Sequence, residues 1–209
     1  MYQRQHFDRY LTVAEERQLF QTIKQHMNKD TQRGLLAMRD YYAFKFMRNT
    51  GLRVGTVVGM RVIDALNILK ARRLQLPKAI MKGRRHDLDT YCNKSALDNL
   101  RKLLIARQLL GYAPNADERL LVSREGEALS DRSMRHRLQH WRELAGLDAQ
   151  ASPHWLRHTL AKRVMKNSTA RDPRAIVGAL LGQRDPRSTV MYTLPDKEDI
   201  EQASEEVAA

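Results

Sequence analysis

A single cysteine, Cys92, is all the thiol chemistry this 209-residue sequence offers. That excludes an intramolecular disulfide and a cysteine-based structural zinc site, so Cys92 reads as an ordinary small side chain. Long apolar runs are missing, as are a secretory leader and a lipidation motif at either end. These absences argue against a membrane partner and make a soluble cytoplasmic protein the expectation. No internal repeat or low-complexity tract interrupts the chain, whose length suits one medium-sized domain. Acidic residues are in short supply: 24 Asp and Glu stand against 37 Lys and Arg, a formal net charge of +13 at pH 7. A field of that sign attracts polyanions, and nucleic acid is the expected partner. Charge alone, however, indicates binding rather than chemistry.

Turn and cap residues divide the chain. Thr12 and Glu15 have capping-box spacing ahead of Leu19, Phe20, Ile23 and Met27, which share a helical face, so a first helix is expected from Thr12. Leu35, Tyr42 and Phe46 mark a second helix closing at Gly51, and a short one should follow from about Val54. Between Ile63 and Asn93 the helical periodicity fades. Leu74 to Cys92 alternates instead around Lys82, Gly83, Arg84 and Arg85, which predicts a β-hairpin or a three-strand sheet. Ser95 and Asp98 look like another cap, for a helix carrying Leu97, Leu100, Leu104 and Leu110 to Gly111. A loop with Pro114 and Asn115 leads to the apolar run Leu120 to Val122. Ser130 caps a basic helix ending at Gly146, and Ser152 with Pro153 opens the next. Pro173 and Pro186 mark further starts, and an acidic tail follows Pro195. The fold class is therefore mostly α with a small antiparallel β-sheet (α+β).

Three segments carry chemistry. Asn49-Thr50-Gly51-Leu52-Arg53-Val54 sets an arginine just past a glycine turn, beside the amides of a new helix, where it suits a phosphate or is simply solvated. Ser152-Pro153-His154-Trp155-Leu156-Arg157 sets His154 and Arg157 on one face, able to share an anionic group; alternatively His154 caps and Arg157 snorkels. Trp155 and Leu156 read as core. Leu180-Leu181-Gly182-Gln183 precedes Met191-Tyr192-Thr193, and Tyr192 taken alone is an amphipathic packing residue.

The order and spacing of these pieces, over roughly Leu11 to Thr193, resembles the tyrosine recombinase (phage integrase) family. That resemblance assigns Arg53, Lys82, His154, Arg157, Gln183 and Tyr192 to the catalytic set. Lys82, in Met81-Lys82-Gly83, matches the family's hairpin lysine better than Lys78, which is expected to touch DNA with Arg84 and Arg85. Two positions depart from the pattern. Gln183 stands where the family has His or Trp, and Thr56 stands where an acidic residue usually supports the first arginine. Only about eleven residues precede the first helix, so the chain is similar to the short fimbrial phase-variation recombinases. It divides into an extension at 1–11, a catalytic domain at 12–195 and a C-terminal helix or tail at 196–209, open to exchange between protomers.

The resemblance implies site-specific recombination of double-stranded DNA through a 3′-phosphotyrosine, with no metal, ATP or other cofactor. The residues fit that chemistry. Two arginine forks suit the charge that builds on a five-coordinate phosphorus. A phenol, with a reference pKa of about 10, needs a base, which His154 supplies. Lys82 would protonate the leaving 5′ oxygen and Gln183 would hold a phosphate oxygen. No Asp and Glu grouping stands near these motifs at ligand spacing. Arg132, Arg135 and Arg137 are expected to grip backbone phosphates. Family members work as tetramers on DNA, and an accessory DNA-binding protein is an expected partner. The competing readings are a non-catalytic DNA-binding regulator on the same fold and a type IB topoisomerase-like relaxer.

Overall fold

The computed structural model describes residues 9–83, 86–113, 115–183, 185, 187–195 and 197–208. Arg84, Arg85, Pro114, Pro186 and most of the N-terminal extension lie outside the described residues. Ten helices are described: α1 Val13–Gln25, α2 Gln32–Thr50, α3 Val54–Gly59, α4 Val62–Ala71, α5 Lys94–Leu109, α6 Asp131–Leu144, α7 Pro153–Asn167, α8 Pro173–Leu181, α9 Arg187–Val190 and α10 Lys197–Ala208. Strands β1 Arg73–Leu76 and β2 Leu88–Tyr91 pair antiparallel, Arg73 opposite Tyr91 and Leu76 opposite Leu88. A single 3-10 turn at Lys78–Ile80 lies in their connection. The fold class is as expected: mostly helical, with a two-stranded antiparallel sheet among the described residues.

Local signals set most boundaries. Thr12 and Glu15 form the full reciprocal capping box of α1. Gly51 ends α2 at φ +67°, a left-handed turn that side-chain-bearing residues adopt at a cost, and Gly182 ends α8 in the same way. Ser130 caps α6 through the Ser133 amide, and Pro153 and Pro173 occupy first turns.

Two expectations fail. Residues 62–71 form α4, where the helical pattern had been read as fading. Val62, Ala65 and Ile68 face the core, but Ile63 and Leu66 are apolar and exposed, which blurs the periodicity. The cap of α5 is Asn93 rather than Ser95: its amide oxygen accepts from the Ala96 N–H while its NH2 donates to the Asn49 carbonyl. Asp98 instead pairs with Lys102 one turn on.

The core centres on α2, which packs on α5, α7 and α1. Phe44, Phe46, Met47, Ile68, Leu74, Leu100, Leu103 and Leu120 are buried there, with Trp155 and Leu156 as expected. A smaller cluster of Ala161, Val177, Leu181 and Tyr192 joins α7 and α8.

Two buried carboxylates tie the helices together. Glu16 of α1 pairs with Arg48 of α2 at 2.9 Å and Arg163 of α7 at 2.6 Å. Asp40 of α2, wholly buried, receives Arg39 at 2.7 Å, Arg137 at 2.6 Å and the Trp141 indole at 2.8 Å. A buried acid with three donors fixes α6 on α2, because each group left alone would lose its compensation for desolvation. Replacing Asp40 with Ala should therefore lower the unfolding free energy by about 3 kcal/mol, the lower end for a broken buried pair because Arg137 is partly solvated. Urea denaturation of Asp40→Ala against the parent checks this.

Candidate active site

Arg53 is the residue from which α3 springs, placed by the Gly51 turn just before it. Arg157 is the fifth residue of α7, at the start of its second turn, and is 2% exposed. It donates to the Gly51 carbonyl at 2.6 Å and to the Leu181 carbonyl at 3.2 Å. The guanidinium thus fastens the end of α2 to the end of α8, and Gly51 serves both arginines. A Cβ at Gly51 would come within 2.3 Å of Leu181 Cδ2, so a side chain there would displace the end of Leu181 in addition to straining the left-handed turn.

Arg53, Lys82, Arg135, His154 and Arg157 line one cavity of about 610 Å³, with Arg119, Asp131 and parts of α3 and the β1–β2 connection. Five cations against one carboxylate define an anion site. Lys82 lies on that connection, whereas Lys78 is exposed and does not line the cavity; its amide is held by Asp87 at 2.6 Å. Tyr192 is 3% exposed, packs in the α7–α8 cluster and is a hydrogen-bond and charge partner of Arg157.

The charges shape one another. Desolvation, then the neighbouring Arg53, lowers Arg157 to about 10, with Tyr192 opposing the shift, so Arg157 stays cationic at neutral pH. His154 is exposed by area, yet its ring packs edge-on against His158 at 4.5 Å. Lost hydration, then Arg157, Arg53, Lys82 and Arg135, push it down to about 4. It is therefore a neutral imidazole at pH 7, able to accept a proton.

Other expected residues are placed differently. Gln183 is not among the cavity-lining residues; it borders a separate cleft with Arg174, Arg187 and Thr189, and its amide oxygen is buried without a hydrogen-bond partner among the described residues. The α6 arginines do not act as one cluster: Arg132 is exposed, Arg135 lines the cavity and Arg137 is drawn inward to Asp40. Burial rather than snorkelling describes Arg157. Thr56 is buried, its hydroxyl 4.0 Å from the Met81 sulfur beside Lys82. The acid of the cavity comes instead from Asp131 at the start of α6, which approaches α3 so closely that a Cβ at Gly55 would lie 3.1 Å from it. Asp131, Arg119 and His158 were missed. His158 had a usable signal, its i,i+4 spacing from His154; Asp131 and Arg119 had none, since only long-range packing brings them here.

Tyr192 does not itself line this cavity: it borders a separate cleft with Tyr10, Lys162 and Arg163 and meets the cationic cavity through Arg157. The class defined is a mostly helical domain with a cationic cavity and a buried tyrosine beside one of its arginines. Residues 9–199 match the Phage integrase family, and the chain belongs to that family. The tyrosine recombinase XerC of Histophilus somni is 30% identical over 165 residues, 79% of this chain and 52% of that protein. XerC of Neisseria meningitidis serogroup B is 32% identical over 169 residues, 79% and 50% of the two chains. The chain thus spans about half the length of the curated relatives it matches. Among solved structures, XerA recombinase superposes with a TM-score of 0.71 at 17% identity, over 100% of this chain and 67% of that one. XerH, bound to its difH substrate in a pre-cleavage complex, gives 0.67 at 17%, over 97% and 55%. These two show the shared fold.

Because its folded pKa lies below its ordinary value of 6.5, His154 binds a proton more readily in the unfolded chain. Its linkage leaves stability level above about pH 6.5 and lowers it as pH falls toward 4. An NMR titration of DNA-free protein should place the His154 midpoint near 4, and a duplex bound at the cavity should raise it, because phosphate offsets the surrounding cations.

Proposed function

We propose that this domain is a site-specific DNA recombinase that cleaves and rejoins double-stranded DNA through a 3′-phosphotyrosine formed by Tyr192. The observation that carries the reading is the convergence of Arg53, Arg157, His154 and Lys82 on one cavity, with Tyr192 partnered to Arg157. Support comes from family membership and from the DNA-bound state of XerH.

In this reading Arg53 and Arg157 grip the non-bridging oxygens of the scissile phosphate, and the buried Nε of Arg157, which has no partner among the described residues, gains an acceptor. The Tyr192 oxygen attacks phosphorus and its proton passes to the neutral His154. The P–O5′ bond breaks, and Lys82 delivers a proton to the departing 5′ oxygen. The phosphate ester bond is conserved, so the freed 5′ hydroxyl of another strand reverses the step without ATP. Arg135 and Arg119 add positive charge around the same phosphate or its neighbours, and Lys78 and Arg132, exposed, contact the flanking backbone. Arg84 and Arg85 keep that same proposed role. Gln183 keeps its proposed role, its side-chain NH2 donating to a phosphate oxygen.

Assembly as a tetramer on DNA follows from exchange of α10, whose Ile200 and Val207 are exposed. An accessory DNA-binding protein and a cytoplasmic location complete the reading. No helix of the described residues is long and apolar enough to cross a membrane.

Incubation with a duplex nicked next to the cleavage point should yield a covalent protein–DNA adduct that Tyr192→Phe abolishes. Binding without any adduct would establish the regulator reading instead, and relaxation of any supercoiled plasmid the topoisomerase one. Arg53→Ala should slow adduct formation by about 100-fold or more, as removal of a single oxyanion donor does elsewhere. Lys82→Ala should be slow on ordinary DNA but recover on DNA with a 5′ sulfur leaving group, which needs no proton.

A further inference from the structure

His154, His158 and Lys162 stand at i, i+4 and i+8 on α7, one stripe of the helix. Each touches a different part of the site. His154 lines the cavity. The His158 ring is 3% exposed and lies between two others: edge-on to His154 at 4.5 Å and 63°, and to Tyr192 at 5.3 Å and 84°. Lys162 donates to the Leu194 carbonyl at 2.7 Å, two residues beyond Tyr192.

The segment bearing Tyr192 is short, with Thr189 and Tyr192 turned inward. α9 is four residues long, Tyr192 follows it in a turn, and Val190, Thr193 and Leu194 are exposed. Orientation of the phenol therefore depends on what meets its ring. Apolar neighbours from α7 and α8 fill space around it, but they do not fix a ring angle as an edge-to-face aromatic pair does. An in-line attack tolerates little error: a misplacement of about 1 Å can cost about 100-fold in rate.

We propose that His158 is a positioning residue for the cleavage reaction, its ring edge setting the Tyr192 phenol in register with His154 and the cavity. It is a positioning rather than a catalytic residue because its ring meets His154 and Tyr192 and acts through them. α7 is thereby a ruler: Arg157 meets the hydroxyl, His158 the ring and Lys162 the backbone that follows. The inference rests on the recombinase reading and assigns a role to a histidine the motif does not use.

The test compares His158→Ala and His158→Phe with the parent on the nicked duplex at saturating protein, alongside DNA affinity and thermal melting. His158→Ala should slow adduct formation by about 100-fold while DNA affinity stays within about twofold. His158→Phe, which restores a ring edge, should recover most of the rate. Because a positioning defect sits on the nucleophile side, the loss in His158→Ala should persist on the 5′ sulfur substrate that rescues Lys82→Ala. Tetranitromethane nitration mapped by mass spectrometry should find Tyr192 more reactive in His158→Ala than in the parent, a readout that needs no DNA. Parental cleavage by His158→Ala, rescue of it by the sulfur leaving group, or unchanged Tyr192 nitration would each overturn the proposal. If His158→Ala fails to fold, His158→Phe decides alone: slow cleavage with normal melting and affinity would overturn the ring-edge role. A parent protein that forms no adduct, with Tyr192 nitration still rising in His158→Ala, would sink the recombinase reading and leave the packing contact standing.

Discussion

A buried guanidinium must be compensated, and in this protein the compensation of Arg157 organises everything around it. Its two carbonyl acceptors, on Gly51 and Leu181, are the ends of helices that are remote in sequence. Holding both ends, Arg157 sets where Arg53 begins α3 and where the chain leaves α8 toward Tyr192. The price of desolvating it is visible in its lowered proton affinity, offset in part by the Tyr192 phenol. Stability and site geometry are therefore one problem here, since the bonds that make the charge tolerable also bring the reactive groups together.

The second constraint is like-charge crowding. Arg53, Lys82, Arg119, Arg135 and Arg157 share one cavity with a single carboxylate, an arrangement that repels itself; desolvation first, and then the charges of Arg157, Arg53, Lys82 and Arg135, keep His154 neutral. Burial networks elsewhere make the crowding bearable. Asp40 locks α6, which presents Arg135 and Asp131, and Glu16 locks α1 and α2 onto α7, which presents His154 and Arg157. An anionic guest relieves the repulsion, so these charges favour binding of an anion.

Much of the fold was legible because its signals are local. Thr12 with Glu15, Gly51, Ser130, and Ser152 with Pro153 each act within a turn of their own position, and each marks the boundary it was expected to mark. Legibility failed where burial depended on partners. α4 escaped notice because Ile63 and Leu66 sit on its exposed side, and Asn93 displaced Ser95 as a cap because it also reaches the Asn49 carbonyl across the fold. The arginines of α6 looked equivalent along the chain, yet Arg137 turns inward to Asp40 and Arg135 outward to the cavity.

By itself the sequence determined the helical class, the excess of positive charge and which residues to expect at the cavity, Arg53, Lys82, His154 and Arg157, since caps, charge balance and motif order are written in neighbouring residues. Tertiary structure alone decided that these four share one cavity, that Gln183 stands aside from it, that Asp131 is the carboxylate in its wall, and that His158 lies against Tyr192. Those outcomes depend on side-chain directions and on contacts between segments up to about a hundred residues apart, such as Arg157 with Gly51, and packing sets these only once the whole core has formed.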